Sequence, residues 1–200
     1  MCKLILFIHS SFNGVVTGDP KKDKTNFMVW VTDASIETGV EWLLRTMETV
    51  DTILLGRATY EDLSRKWPFM NDSPLGKKIN NAYKLVVSHK EPQSKLAWGD
   101  FEAPEALTGS DIEEQIEKLK KGDGGDIIIF GSPTLVRSLT EANLIDEYQL
   151  QVHPVVVNVG EYLFDNLKQR KDFHLAGVKP LKDGSMLVTY KPVKTSRTAP

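Results

Sequence analysis

Two hundred residues, 40% hydrophobic and 26% charged, suffice for one well-buried α/β domain and are too apolar for a disordered chain. A net charge of −2, with acids and bases interspersed, lacks the basic stripe that binding a phosphate backbone requires, so no nucleic-acid partner is expected. The longest apolar runs, Leu4 to Ile8 and Val155 to Val157, are far too short to span a bilayer, and no signal-peptide pattern is present. With its single cysteine, Cys2, the chain reads as soluble and cytoplasmic, with no membrane partner and no internal disulfide. His9, His89, His153 and His174 are scattered without ligand spacing, so no metal is expected.

In chain order, KLILFI (3–8), DTILL (51–55), KLVVS (84–88) and DIIIF (126–130) are short, continuous and rich in branched apolar residues. Such runs read as central strands of a largely parallel sheet, buried on both faces. Ile36, Val40, Leu43, Leu44 and Met47 recur at helical spacing between the first two, as do Ile112, Ile116 and Leu119 before the last. Ser110 and Glu113 form a Ser-x-x-Glu capping box at the start of that second helix. Residues 89–110 form a long connection in which Trp98 and Phe101 mark a possible strand. After the last central strand, Leu135, Val136, Leu139 and Ala142 define a further helix.

Beyond residue 145 the pattern alternates, with Tyr148, Leu150 and Val152 against polar neighbours. FHLAGVKPLKDGSMLVTY then reads as two strands joined across an Asp183–Gly184 turn. The C-terminal third is thus expected to add antiparallel strands to one edge. Residues 1–193 form one domain, and 194–200, without a core-facing pattern, a frayed tail.

The chemistry concentrates in the turns after the parallel strands, where open α/β sheets bind ligands. Gly56 permits a tight turn, Arg57 offers a fork of donors suited to a phosphate, and Thr59 can cap the next helix, which carries Tyr60, Leu63 and Trp67. Ser88, His89 and Lys90 put a hydroxyl and two potential cations at the end of KLVVS. Gly131 allows close backbone approach, Ser132 is a good N-cap, and Pro133 suits the first helical position, leaving N–H groups that attract anions. Taken singly, each turn is better explained as a solvated turn or an ordinary helix start than as a ligand site.

The ordered series SSFNGVVTG, WVTD, DTILLGRATYE, KLVVS, IIIFGSPTLVRSL and LIDEYQLQVHPVVVNVGEYLF spans nearly the whole chain. It resembles the dihydrofolate reductase-like family, in the branch related to the reductase domain of bifunctional riboflavin-biosynthesis proteins. The resemblance implies a three-layer α/β fold, NADPH as cofactor and, by analogy, a homodimer. Gly56, Arg57 and Thr59 would then approach the adenosine or pyrophosphate, and Ser88 the adenosine end. Gly131, Ser132, Pro133 and Thr134 would face the pyrophosphate, His89 or Lys90 a 2′-phosphate, and Trp30 the cofactor site.

The substrate side departs from the family. Asn13 stands where an aspartate is usual, Ile129 where a glutamate contacts substrate, and Asn158 and Val159 interrupt a glycine-rich stretch. Asp33 is the candidate proton donor and equally a good helix N-cap, with Glu161 and His153 as further options. The implied activity is NADPH-dependent reduction of a small pyrimidine- or pteridine-type heterocycle, with the ribosylamino-pyrimidine of riboflavin synthesis as the inherited substrate. The alternative is a nucleotide-binding or sensor module that has lost its substrate chemistry.

Overall fold

The computed structural model describes residues 2–17, 33–90, 92 and 94–193, and within the first helix it leaves out the side chains of 33–36 and 38. Trp30 and the 194–200 tail lie outside the described residues. In chain order the elements are β1 (Leu4–Ser11), β2 (Val15–Thr17), α1 (Asp33–Thr46), β3 (Val50–Gly56), α2 (Arg57–Leu63), α3 (Pro74–Asn81), β4 (Tyr83–Ser88) and β5 (Glu105–Thr108). There follow α4 (Ile112–Lys120), β6 (Asp126–Phe130), α5 (Pro133–Glu141), β7 (Glu147–His153), β8 (Glu161–Tyr162), β9 (Phe173–Pro180) and β10 (Met186–Pro192).

Eight strands form one sheet in the order β5-β4-β3-β6-β1-β7-β10-β9, and β2 pairs with β8 in a small ribbon. From β5 to β7 all neighbours are parallel, and β10 runs antiparallel to β7 and β9. Alternate residues of the parallel strands enter two cores, because helices cover both faces. Leu4, Leu6, Leu54, Leu85, Ile127 and Ile129 pack with Ile112 and Ile116 of α4 and Leu135, Val136 and Leu139 of α5. Phe7, Ile53, Leu55, Ile128 and Phe130 pack on the other face with Leu43 and Met47 of α1 and Leu75 and Ile79 of α3.

Several local expectations change. The run EYQLQVH is not an antiparallel strand at the edge of the parallel sheet. It is β7, lying parallel to β1 from Ile5↔Glu147 to Ser11↔His153, because α5 returns the chain as a crossover before the strand begins. Its polar face is not wet either: Gln149, Gln151 and His153 are as buried as Tyr148. Hydrogen bonds to several of these polar atoms offset part of the cost of that burial. Gln149 Oε1 accepts from Trp42 Nε1 at 3.0 Å and Thr46 Oγ1 at 2.9 Å, and Gln151 Nε2 donates to Ser185 Oγ at 3.3 Å.

The expected hairpin across Asp183–Gly184 joins β9 to β10, with Gly184 at φ +83°. Within 89–110 the strand is Glu105–Thr108, while Trp98 and Phe101 form an isolated bridge. Residue 111, not Ser110, occupies the N-cap of α4 and makes no side-chain cap, and Glu113 instead accepts from Ser138. Leu119 is turned outward, since the buried row of α4 runs Ile112, Ile116, Lys120 at four-residue steps. Lys120 tolerates burial through Asp146, whose Oδ2 is 2.7 Å from its Nζ. Thr59 lies inside α2, whose N-cap is Gly56, and Trp67 belongs to a separate 3-10 turn.

Candidate cofactor and active site

The crossover geometry fixes where a ligand can enter. Adjacent strands β3 and β6 send the chain opposite ways: β3 leads to β4 on one side, and β6 crosses β1 to reach β7 on the other. The carboxyl ends of such a pair splay their connections apart and leave a crevice. Here the two turns touch across it. A Cβ on Gly56 would overlap the Ser132 side chain, and one on Gly131 would lie 2.9 Å from Thr59 Oγ1. Each turn therefore carries glycine where the other delivers a hydroxyl residue.

Gly131 (φ +63°) and Ser132 (φ +52°) both take left-handed conformations before Pro133 opens α5. Ser132 stands at the N-cap position, but its side chain makes no cap hydrogen bond, contrary to expectation. The reason is the same contact: its hydroxymethyl packs on Gly56 instead of folding over its own helix. The first-turn amides of Thr134 and Leu135 are thus not capped from within, and a helix start in that state favours anions.

The crevice widens into a cavity of about 580 Å³. Gly56, Arg57 and Ala58 line it from the β3 turn, Val87 to Lys90 from the end of β4, and Ser132, Thr134, Leu135 and Ser138 from α5. The fourth wall is the turn from β5 into α4, with Gly109, Ser110, Ile112 and Glu113. Of the expected cofactor residues, Gly56, Arg57, Ser88, His89, Ser132 and Thr134 meet on this one cavity. Gly131 and Thr59 brace its floor by their mutual contact, and Pro133 starts the helix behind it. Arg57 Nε donates to Glu61 Oε1 at 2.9 Å, an exposed i,i+4 pair that costs little to rearrange. Ser88 Oγ donates to the Lys90 carbonyl at 2.7 Å, closing the turn that presents the exposed His89 and Lys90.

Gly109, Ser110, Ile112 and Ser138 are cavity residues that the sequence reading missed. Recognising EALT (105–108) as a strand would have found the first two, because it makes Gly109–Ser110 a fourth turn of the same series.

A second polar cluster occupies the carboxyl ends of β1 and β7. His9 Nδ1 and His153 Nε2 are 3.1 Å apart, and Phe7 meets the His9 ring edge-on at 5.7 Å. Burial, reinforced by the facing His153, pushes His9 down to about 4, and burial also lowers His153. The pair is therefore neutral near pH 7, one ring donating to the other. Asn13 Oδ1 accepts from Ser11 Oγ at 2.9 Å and from the Val157 amide at 3.1 Å, while Asn13 Nδ2 donates to the Val157 carbonyl at 2.9 Å. An aspartate could not make that last bond, so the departure from the family's usual residue has a structural reason.

The remaining substrate-side expectations separate. Ile129 has no exposed surface and sits in the core under α4 and α5, so it lines no cleft. Glu161 is exposed on β8, where its Oε2 lies 3.3 Å from Arg137 Nη2 of α5, and it does not face the cavity. Asp33 opens α1, and its side chain, like Trp30, lies outside what is described. Among the described residues no cluster of His, Cys, Asp and Glu could hold a metal ion, and no helix is long and apolar enough to cross a membrane.

The fold is the dihydrofolate reductase-like α/β fold. The RibD C-terminal domain model matches residues 3–187, and the chain belongs to that family. Two Bacillus subtilis (strain 168) proteins are similar: YyaP is 28% identical over 144 residues (72% of this chain, 75% of that one), and YwjB 29% over 180 residues (88% and 91%). Among solved structures, a putative riboflavin biosynthesis protein from Shewanella sp. PV-4 superposes with a TM-score of 0.67 at 19% identity, covering 96% of this chain and 99% of that one. A Thermotoga maritima diaminohydroxyphosphoribosylaminopyrimidine deaminase/5-amino-6-(5-phosphoribosylamino)uracil reductase gives 0.68 at 14% identity, with 96% of this chain matching 57% of that longer one. Dihydrofolate reductase from Enterococcus faecalis, complexed with NADP(H), gives 0.55 at 17% identity, covering 95% and 96%.

Proposed function

We propose that the protein is an NADPH-dependent reductase of a small pyrimidine- or pteridine-type heterocycle. The observation that carries this reading is the joined pair of turns, Gly56 against Ser132 and Gly131 against Thr59, opening into a cavity bordered by Arg57, His89 and Lys90. The donor set fits a phosphorylated dinucleotide: uncapped helix amides at Thr134 and Leu135 for the pyrophosphate, and Arg57 of α2 with Lys90 in the turn after β4 for a 2′-phosphate. Bound NADPH supplies the hydride.

The protein's own share is orientation and proton handling. Register places His9 beyond Phe7, which pairs with Phe130, the residue before the Gly131 turn. The His9–His153 pair therefore lies on the strand next to that turn, where a neutral imidazole can hold a proton at either His9 Nδ1 or His153 Nε2. Asp33, at the start of α1, is the proposed proton donor to the reduced ring. The uracil that the Thermotoga protein's name specifies is the first substrate to try.

A homodimer is proposed as the working form. Edge strand β9 with its neighbour β10 exposes Leu175, Val178, Met186 and Tyr190, an apolar edge of the kind proteins cover. Light scattering should give twice the chain mass, and a monomer at micromolar concentration rejects this.

The deciding experiment is a thermal-shift series with NADPH, NADH, FMN and folate, followed by NADPH oxidation with the uracil and with pterins. A melting point raised by NADPH supports the cofactor, because only a native-state ligand stabilises the fold. No response to any nucleotide rejects it, and tight binding without turnover of any acceptor favours a sensor instead.

A further inference from the structure

One cavity residue has the wrong sign for a phosphate site. Glu113, in the first turn of α4, lies on the same cavity as Arg57, His89 and Lys90, and its Oε1 accepts from Ser138 Oγ of α5 at 2.6 Å. A carboxylate beside a 2′-phosphate would be repelled, so this part of the cavity must face something else. Its surroundings indicate what. Val87, Ile112 and Leu135 are the apolar residues of the lining, contributed by β4, α4 and α5. Ile112 is next to Glu113 in sequence, and Leu135 is one helical turn before Ser138.

A slot with apolar walls and a carboxylate at its edge suits a flat aromatic ring that carries a hydrogen-bond donor. Adenine is such a ring, with its 6-amino group as donor, and ribose lacks the apolar faces. Ser138 uses only one of the acceptor positions of the carboxylate and fixes its rotamer, leaving others for a ligand. We infer that Glu113, held by Ser138, accepts a hydrogen bond from the 6-amino group of the cofactor's adenine and makes the site selective for adenine over 6-oxopurine dinucleotides.

This rests on the cofactor reading above. It also orders the cavity: adenine lies toward α4 and α5, and the phosphate-bearing ribose toward His89 and Lys90.

The test compares NADPH with its hypoxanthine analogue, deamino-NADPH, whose 6-oxo group accepts where adenine donates. Binding to the full chain is measured by nucleotide fluorescence, in the wild type and in Glu113→Gln, which can still accept from Ser138. The wild type is expected to prefer NADPH by roughly ten-fold or more, as for a charge-assisted hydrogen bond lost and an acceptor left facing an acceptor. Glu113→Gln, able to turn its amide N–H to the 6-oxo group, should bring the two within about three-fold of each other, while its unliganded melting temperature stays near the wild-type value.

Equal wild-type affinity for both nucleotides overturns the inference and leaves the cofactor reading standing. Undiminished discrimination in Glu113→Gln also overturns it, because another group must then read the base. Failure of the wild type to bind either nucleotide overturns the cofactor reading and this inference together.

Discussion

The two polar regions at the carboxyl ends of the strands are built on opposite plans. At the ends of β3 to β6 the polar side chains are open to solvent: Arg57, His89 and Lys90 border an open cavity, and the backbone beneath is held by glycine contacts. At the ends of β1 and β7 they are sheltered and neutral: His9 bonds His153, Gln151 bonds the Ser185 hydroxyl, and Asn13 bonds Ser11 and the Val157 backbone. An exposed charge loses little when unliganded and gains a partner when a phosphate arrives. A sheltered neutral group gains nothing from an anion but keeps a fixed position and proton state. The first region is thus made to capture, the second to hold a geometry, and substitutions should separate them by which quantity moves.

The largest effect is expected where capture depends on backbone. Gly56→Ala puts a methyl group into the Ser132 side chain, an overpacking that should cost about 1–3 kcal/mol in stability and abolish nucleotide binding by parting the two turns. Adding Ser132→Gly should recover much of the stability in a denaturation-based double-mutant cycle, and additive losses would mean that the contact does not couple the turns. Asn13→Asp tests the second region in the same way. It sets a carboxylate against the Val157 carbonyl, and urea unfolding should show a loss of about 1–3 kcal/mol at pH 7 that shrinks as the acid is protonated.

The His9–His153 pair gives the second region a pH signature. His9 is lowered from 6.5 to about 4 in the folded chain, so folding favours its neutral form. Its contribution is fully present above pH 6.5, falls as the unfolded state takes up the proton, and is gone by about pH 4. By pH 5 the loss is on the order of 2 kcal/mol. His9→Gln, which keeps a hydrogen-bonding group without titration, should flatten the decline in melting temperature between pH 6.5 and 4. An unchanged slope would place the titrating group elsewhere.

How much of this the chain announces depends on which signal each residue leaves. The four central strands and the helices around Leu43, Ile116 and Leu139 are legible because apolar periodicity is local and strong. The turn residues Gly56, Arg57, Ser88 and Gly131 are legible because strand ends fix their place, and the convergence of Gly56, Arg57 and Ser88 on one cavity follows from strand order. What was lost needed pairing information. Ser132 looks like an N-cap in sequence, yet its side chain is taken by a glycine 76 positions away. Gln149 and Gln151 look solvated because alternation cannot tell a wet face from a polar layer under α1. Glu113 looks like half of a capping box until α5 is seen to supply its partner, Ser138.

The smallest expected effect on stability is also the sharpest separation of the two regions. Arg57 and the Ser88–Lys90 turn line the cavity, and only the exposed Glu61 pair and the two bonds between Ser88 Oγ and the Lys90 backbone would be lost on truncation. Arg57→Ala with Ser88→Ala should therefore move the unfolding free energy by only about 0.5 kcal/mol or so, since exposed ion pairs contribute little. Binding should respond quite differently. If these groups read the 2′-phosphate, NADPH loses a charge-assisted contact that NADH never makes, and the double variant should weaken NADPH roughly ten-fold more than NADH. The gap should narrow in high salt, because the rim lies in solvent where charges are screened. Equal losses for both nucleotides would assign these residues to the pyrophosphate or to the turn itself. The phosphate preference would then have to come from His89 or Lys90, which Lys90→Ala tests by the same pair of titrations.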